Sequence, residues 1–232
     1  MYTRFMQYNS FSNYVSRSRR ILKNATQQLS KNRIAHTALT LSDQMGIENI
    51  SMRKLASELD VTAMALYRYY ASIEEIRAAA VALAYKEVDT HPIPGERWDD
   101  TLRRTTASIR EMHLNHASAH LHLIETTGDS PALQAHTQAI YELHENQGIP
   151  PKTLQKAWRL VDAFLGGFLQ GEIYDVINEH EKPEAATGDS WRETAAGAYS
   201  EETFHDGIDI IIAGIKALAA PDPCDWHTPE NA

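Results

Sequence analysis

Apolar residues return every three to four positions through most of the chain, and no stretch sustains the period-two alternation of a half-buried strand. Ile34, Ala38, Leu41 and Met45 fall at i, i+4, i+7 and i+11, with Ser30 placed to cap the start and Gly46 to stop the end, so the first helix is predicted there. Ser51 can cap a second helix, whose Met52, Leu55, Ala56 and Leu59 form one buried face. Asp60 and Val61 leave room only for a tight turn before Thr62 caps a short third helix reaching Tyr70. Ser72 and Glu75 form a capping box that opens a fourth helix over 73–90. Pro92 and Pro94 then break the pattern. Further helices are predicted at 98–114, 117–125, 131–147, 152–179 and 201–219, punctuated by Gly128, Pro131, Gly148, Pro150 and Pro151, with a mobile loop at 181–199.

These elements describe an all-α chain in which an N-terminal three-helix module, with a helix-turn-helix at 51–70, is joined by a long helix to a larger helical domain. Composition sets the expected boundaries: a flexible basic arm at 1–29, the module at 30–90, the second domain at 91–220 and a tail at 221–232. Charge sharpens this division. The 232 residues carry −9 overall, yet residues 1–70 hold ten Lys/Arg against four Asp/Glu, a net of +6, which leaves −15 on the remainder. A basic module on an acidic body suits a polyanion at one end of the molecule only. The single cysteine, Cys224, cannot form a disulfide within its chain and is read as a tail residue without a role. No apolar segment matches a signal peptide or a membrane span, so a cytoplasmic protein that does not engage membranes is expected.

Two short helices separated by a tight turn can set the end of the second into a major groove. In Thr62-Ala63-Met64-Ala65-Leu66-Tyr67-Arg68-Tyr69 the alanines permit close approach, methyl and thioether groups suit thymine methyls, and the hydroxyls of Thr62, Tyr67 and Tyr69 suit phosphates. Arg68 is the residue of this helix able to grip guanine bidentately, while Tyr69 reads also as a tyrosine closing the module's small core. The run from Gly46 through Ala56, the run Val61-Thr62-Ala63-Met64-Ala65-Leu66-Tyr67-Arg68-Tyr69-Tyr70, and Glu75-Ile76 together resemble the TetR family of bacterial repressors. The resemblance implies contacts to DNA from Ser51 and Arg53 on the second helix, base-edge contacts along residues 62–65, and a grip on the backbone by Tyr67 and Tyr69. One position departs from the family, because Ile73 stands where a phosphate-binding lysine is usual.

In the second domain, Gly95-Glu96-Arg97-Trp98 and the run from Phe204 to Ile215 look like the tetracycline-repressor branch. That likeness implies a homodimer built on the last two long helices, and the sequence offers a reason. Phe204, Ile208, Ile211, Ile212, Ile215 and Leu218 span more than one side of a helix, with Gly207 and Gly214 seven apart, and Gly166, Gly167 and Gly171 mark the companion helix. An intramolecular core is the alternative reading of either helix. An effector cavity is expected among Trp98, Thr105, Ile109, Met112, His113, His122, Phe164 and Phe168, with Trp158 and Tyr174 nearby, although aromatic residues at helical spacing also read as plain core. Thr105 and Ile109 occupy positions where the branch has polar ligands for tetracycline, which argues against that drug and for an apolar or aromatic small molecule. His113, His116, His120 and His122 invite a metal reading, but the spacing is not His-Glu-x-x-His and no cysteine accompanies it, so no metal or cofactor is expected. With neither a glycine-rich phosphate loop nor a nucleophile elbow, an enzyme is not expected. The chain therefore reads as a DNA-binding transcriptional regulator, expected to repress from a palindromic site as a dimer and to be released by an effector.

Overall fold

The computed structural model describes residues 29–117, 131–177, 198–218 and 227–229, which form eight α-helices. Helix α1 (Lys31–Met45) begins where the Ser30 hydroxyl accepts from the Arg33 amide at 3.2 Å, and it stops at Gly46, whose φ of 85° is left-handed. Ser51 caps α2 (Met52–Glu58) in the same way. The turn that follows is tight enough to hold Asp60 at φ 56°, a region usually left to glycine. Thr62 then caps α3 (Ala63–Tyr67), which stops three residues before the predicted end because the amides of Tyr69 and Tyr70 both turn back to the Leu66 carbonyl. Ser72 caps α4 (Ile73–Ala84), and the Glu75 carboxylate reaches back to the Ala71 amide at 2.8 Å, closing the capping box one residue further out than the usual pattern.

The predicted 73–90 helix is shorter than expected. After Ala84 the backbone tightens into one 3-10 turn, Tyr85–Glu87, and leaves helical geometry at Val88. Tyr85 and Val88 are both buried, and the three-residue period of the 3-10 turn stacks their side chains directly above one another on the core side. The second domain comprises α5 (Trp98–Asn115), α6 (Pro131–Glu145), α7 (Pro151–Ile177) and α8 (Glu201–Leu218). One apolar core runs from Ile34 in α1 through Tyr85 and Val88 to Trp98, Leu154 and Ile215, so the connector lies in the core and not on a hinge through solvent.

Helices α7 and α8 pack through an aromatic cluster, with the Phe164, Phe168 and Phe204 rings 5.3–5.9 Å apart. A Cβ on Gly207 would strike the Phe164 ring, and one on Gly171 would strike Tyr199. These two glycines therefore admit rings of their own chain, which corrects the expectation that Gly207 and Gly171 serve the approach of a partner. Phe204, Ile208, Ile211, Ile212 and Ile215 are likewise buried within the chain. What α8 leaves outside is Ile210, 72% exposed, with Ala213, Gly214 and Ala217, and α7 leaves Leu160, Ala163, Gly167 and Tyr174.

The expected tail is also revised. The Thr228 amide donates to the Glu96 carbonyl and Gly95 donates to the Thr228 carbonyl, both at 2.9 Å, while the Gln147 amide reaches the Thr228 hydroxyl at 3.1 Å. Residues 227–229 thus complete the second domain, and Thr228 is 1% exposed. The arm before Leu29, the predicted 117–125 helix beyond Ala117, most of the 181–199 loop, His120, His122 and Cys224 lie outside the described residues. Among the described residues no helix is long and apolar enough to cross a membrane.

Candidate nucleic-acid interface and effector cavity

Helix α3 owes its orientation to one buried anchor. Leu66 is fully enclosed, which turns Met64, 74% exposed, and Tyr67, 50% exposed, outward with Thr62 and Arg68, while Ala63 and Ala65 are half-buried at its flanks. Arg68 is the C-terminal cap of α3 and not part of its helical body. Ser51, Arg53 and Lys54 are exposed at the start of α2. The side chains of Arg53, Lys54 and Arg68 have no hydrogen-bond or ion-pair partner among the described residues. The three arginines of α5 are placed differently: Arg103 meets Asp209 at 2.8 Å, Arg104 meets Glu96 at 2.7 Å, and Arg110 forks onto Glu172.

Two tyrosines hold this head together from below. The Tyr69 hydroxyl donates to the Leu29 carbonyl at 2.8 Å and Tyr70 to that of Lys31 at 3.0 Å, with the Lys31 ammonium over the Tyr70 ring. Tyr69 is half-buried, so its hydroxyl ties the end of α3 to the start of α1, which is the core reading of the two weighed for it. Arg77 was not singled out in the sequence, yet its guanidinium donates to the Glu48 and Ile50 carbonyls at 2.8 Å and so sets the loop from which Ser51 starts α2. Ile73 packs half-buried against the core.

A cavity of about 220 Å³ opens between α5, α6, α7 and the 3-10 turn. Ile109 and His113 line it, as does Trp158, together with Tyr85, His136, Tyr141 and Asp162, which the sequence reading passed over. The signal was present for Asp162, which falls four residues after Trp158 and four before Gly166 on one face of α7. Other expected lining residues are elsewhere. Phe164 and Phe168 belong to the ring cluster facing α8, because their positions on α7 are turned away from Trp158 and Asp162. Trp98 sits against Leu102, Leu154 and Ile215 in a separate small cleft, Met112 is 1% exposed in the core, and Thr105 is fully buried. Its hydroxyl has no partner among the described residues.

The cavity wall is polar in a particular way. His136 stacks on Tyr85 with ring centroids 4.7 Å apart. Burial pushes His136 down to about 4, leaving a neutral imidazole, and pushes the Tyr85 hydroxyl up to about 12. His144, behind Trp158, is likewise lowered by burial to about 4. Burial raises the Asp162 carboxyl above its ordinary value. On the far side of the Tyr85–His136 stack a second space of about 320 Å³ runs under the connector toward His91.

Helix α5 grips the connector at three levels. His116, just past its end, sets Nδ1 against Asp43 of α1 at 3.0 Å and Nε2 against Glu87 of the 3-10 turn at 3.1 Å. Burial opposes charge on this ring, but the two carboxylates outweigh it and raise the His116 pKa, since only an imidazolium can donate from both nitrogens. Ser108 accepts from the Asp89 amide at 2.8 Å, and Arg104 bridges Asp89 and Glu96. Of the four-histidine cluster, His116 is therefore committed to carboxylates of other elements, and among the described residues no group of three or more His, Cys, Asp or Glu side chains is arranged to hold a metal ion.

Residues 34–80 match the family model of bacterial regulatory proteins, tetR family. An HTH-type transcriptional regulator of Saccharopolyspora erythraea is 30% identical over 203 residues, covering 82% of this chain and 86% of that protein. The tetracycline repressor protein class E of Escherichia coli is 26% identical over 198 residues, covering 82% and 92% of the two chains. Among solved structures, ActR of Streptomyces coelicolor in complex with actinorhodin shares the fold with a TM-score of 0.64 at 23% identity, covering 84% of this chain and 99% of that one.

Proposed function

This chain belongs to the TetR family of bacterial regulatory proteins, and from that premise we propose that it represses transcription as a homodimer on a palindromic DNA site, which it leaves when a small molecule fills the cavity beside Tyr85. The observation that carries the DNA half is the contrast in how cations are used. The side chains of Arg53, Lys54 and Arg68 stand exposed on and before α3 without a partner among the described residues, whereas the arginines of α5 are paired with carboxylates. Three uncompensated charges on the face that also presents Thr62, Met64 and Tyr67 suit a phosphate backbone with a groove between its strands. In this reading Arg53 and Arg68 read guanine, residues 62–65 lie along base edges, and Ser51 and Tyr67 hold phosphates. Tyr69 has its hydroxyl engaged with Leu29 and serves the fold of the head.

A two-fold dimer is supported by the outward stripe of Ile210, Ala213, Gly214 and Ala217 on α8 beside Leu160, Ala163 and Gly167 on α7, where small residues permit close helix approach. Release by an effector is supported by the cavity's own walls. A molecule there touches Tyr85 of the connector and Ile109 and His113 of α5 at once, between the Ser108–Asp89 and His116–Glu87 ties. Differential contact with two positions of the connector is what lets a ligand shift the spacing of two heads. The module (30–90) then reads DNA, and the domain from 91 onward, including Thr228, binds effector and partner. Footprinting of DNA upstream of the chain's own coding sequence tests this reading: a protected inverted repeat is expected, and uniform, sequence-independent protection contradicts it.

A further inference from the structure

The cavity holds one feature that an apolar ligand leaves unused. Asp162 lines it with no hydrogen-bond or ion-pair partner among the described residues. Among the described residues the lining contains no lysine or arginine, its basic side chains being His113 and His136. On α5, Arg110 is engaged with Glu172 and Arg104 with Glu96 and Asp89, and Arg159, one turn before Asp162 on α7, is exposed and makes no ion pair with it. The same cavity is lined by the rings of Tyr85, Tyr141 and Trp158, and aromatic faces attract cations. We infer that the effector is a planar aromatic cation, its rings between Tyr85 and Trp158 and its positive charge against Asp162.

This inference rests on the effector reading of the cavity and adds the charge of the ligand to it. Three physical points favour a cation over a neutral or anionic ring system. A carboxylate at the cavity rim without an ion-pair partner among the described residues is stabilised by a cation beside it, and the aromatic side of the cavity screens that attraction less than open water does. Burial already raises the carboxyl's pKa, which marks the site as one where the negative charge is undercompensated. The imidazole of His136 is held neutral by burial, so it neither neutralises Asp162 nor repels a cation stacked near it. Asp162 is also exposed, on the open side of the cavity, so a charged ligand reaches it without first crossing the apolar interior.

N-methylacridinium and acridine provide a matched pair of nearly equal shape, one permanently charged and one neutral at mildly alkaline pH. Binding of each to the full-length dimer is measured by fluorescence titration, for wild type, Asp162→Asn and Gly166→Leu. Wild type is expected to favour N-methylacridinium by roughly tenfold or more, the size of one good charge-assisted contact. In Asp162→Asn the ratio of the two affinities is expected to fall toward one. Gly166 has open space where a Cβ would stand and lines the cavity, so leucine there is accommodated by the helix and is expected to weaken both probes. Equal or tighter binding of acridine by wild type, an unchanged ratio in Asp162→Asn, or indifference of both probes to Gly166→Leu would each overturn the inference. The effector reading is read out separately, by adding N-methylacridinium to the protein–operator complex: Asp162-dependent binding that leaves the complex intact keeps the ligand class and removes the release mechanism.

Discussion

Tyr67 and Tyr69 are two residues apart with similar chemistry, and the fold gives them opposite surroundings. Tyr67 is half exposed with its ring outward, while the Tyr69 hydroxyl is spent on the Leu29 carbonyl 40 positions earlier. Tyr69→Phe is therefore expected to destabilise the protein by about 1 kcal/mol, the net worth of a typical hydrogen bond, without changing which DNA sequence is preferred. Urea denaturation beside operator titration checks both parts. Tyr67→Phe is expected to do the reverse: fold stability unchanged, and affinity reduced alike on every duplex, because a phosphate contact carries no sequence information. Arg53→Ala is expected to cost about 1–3 kcal/mol on the preferred duplex and to relax selectivity at one base pair per half-site, the behaviour of a lost bidentate guanine contact. Titration of single-base-changed duplexes reads it, and equal losses on all duplexes would move Arg53 to the phosphate class.

Among elements, the two long helices show what sequence periodicity reveals and what it hides. The apolar spacing of α8 announced a wide buried surface, but periodicity cannot say whether a face meets its own chain or a copy. The structure gives Ile211 to the core, 7% exposed, and leaves Ile210 outside at 72%. Ile210→Glu is accordingly expected to yield a folded monomer in sedimentation, whereas Ile211→Glu, which buries a charge, is expected to give unfolded or insoluble chain. A fully dimeric Ile210→Glu protein would remove α8 from the interface. The same limit explains the cavity. Sequence located the helices that line it and three of its candidate residues, Ile109, His113 and Trp158, yet Phe164 and Phe168 went to the α8 side because they stand on a different face of α7, and periodicity does not say which face meets which neighbour. The long-range ties were illegible for another reason: nothing local marks Asp43, Glu87 and His116, far apart in sequence, as neighbours. That tie has a pH signature. The His116 pKa is raised in the fold, so its contribution is full below the unfolded value of 6.5 and is lost as pH rises through the folded value. His136 and His144, lowered to about 4, act oppositely, and their contribution is lost as pH falls from 6.5 toward 4. His116→Gln is expected to destabilise the dimer more in mildly acidic than in alkaline buffer, measured by urea denaturation at fixed protein concentration, and an equal loss at both would mean that the ring is neutral.

For the molecule as a whole, the net charge of −9 conceals a basic stretch, +6 over residues 1–70, ahead of an acidic remainder, and the described parts of head and body share one continuous core. That core is why the connector can transmit. Tyr85 lines the cavity while Glu87, two residues on, holds His116, and in the proposed release this is the route by which a ligand would reach the junction with α1. The fold class and the position of the head were legible because capping residues, Ser30, Ser51, Thr62 and Ser72, act locally and carry their meaning in the sequence. The polar seam that seats Thr228 on Glu96 and Gln147 was not legible, since its partners come from three distant segments. Everything proposed for the head reduces to one statement, that two copies of α3 related by a two-fold axis read DNA through major grooves on one side of the duplex. Selection of wild-type dimer against a random duplex library, followed by titration of the winning sequence across salt concentrations, tests it most directly. The account expects an inverted repeat with half-site centres one or more helical turns apart, and an affinity that falls steeply with salt as the head's cations release counterions. Enrichment of no sequence, or of a single unrepeated half-site bound with little salt dependence, would contradict it.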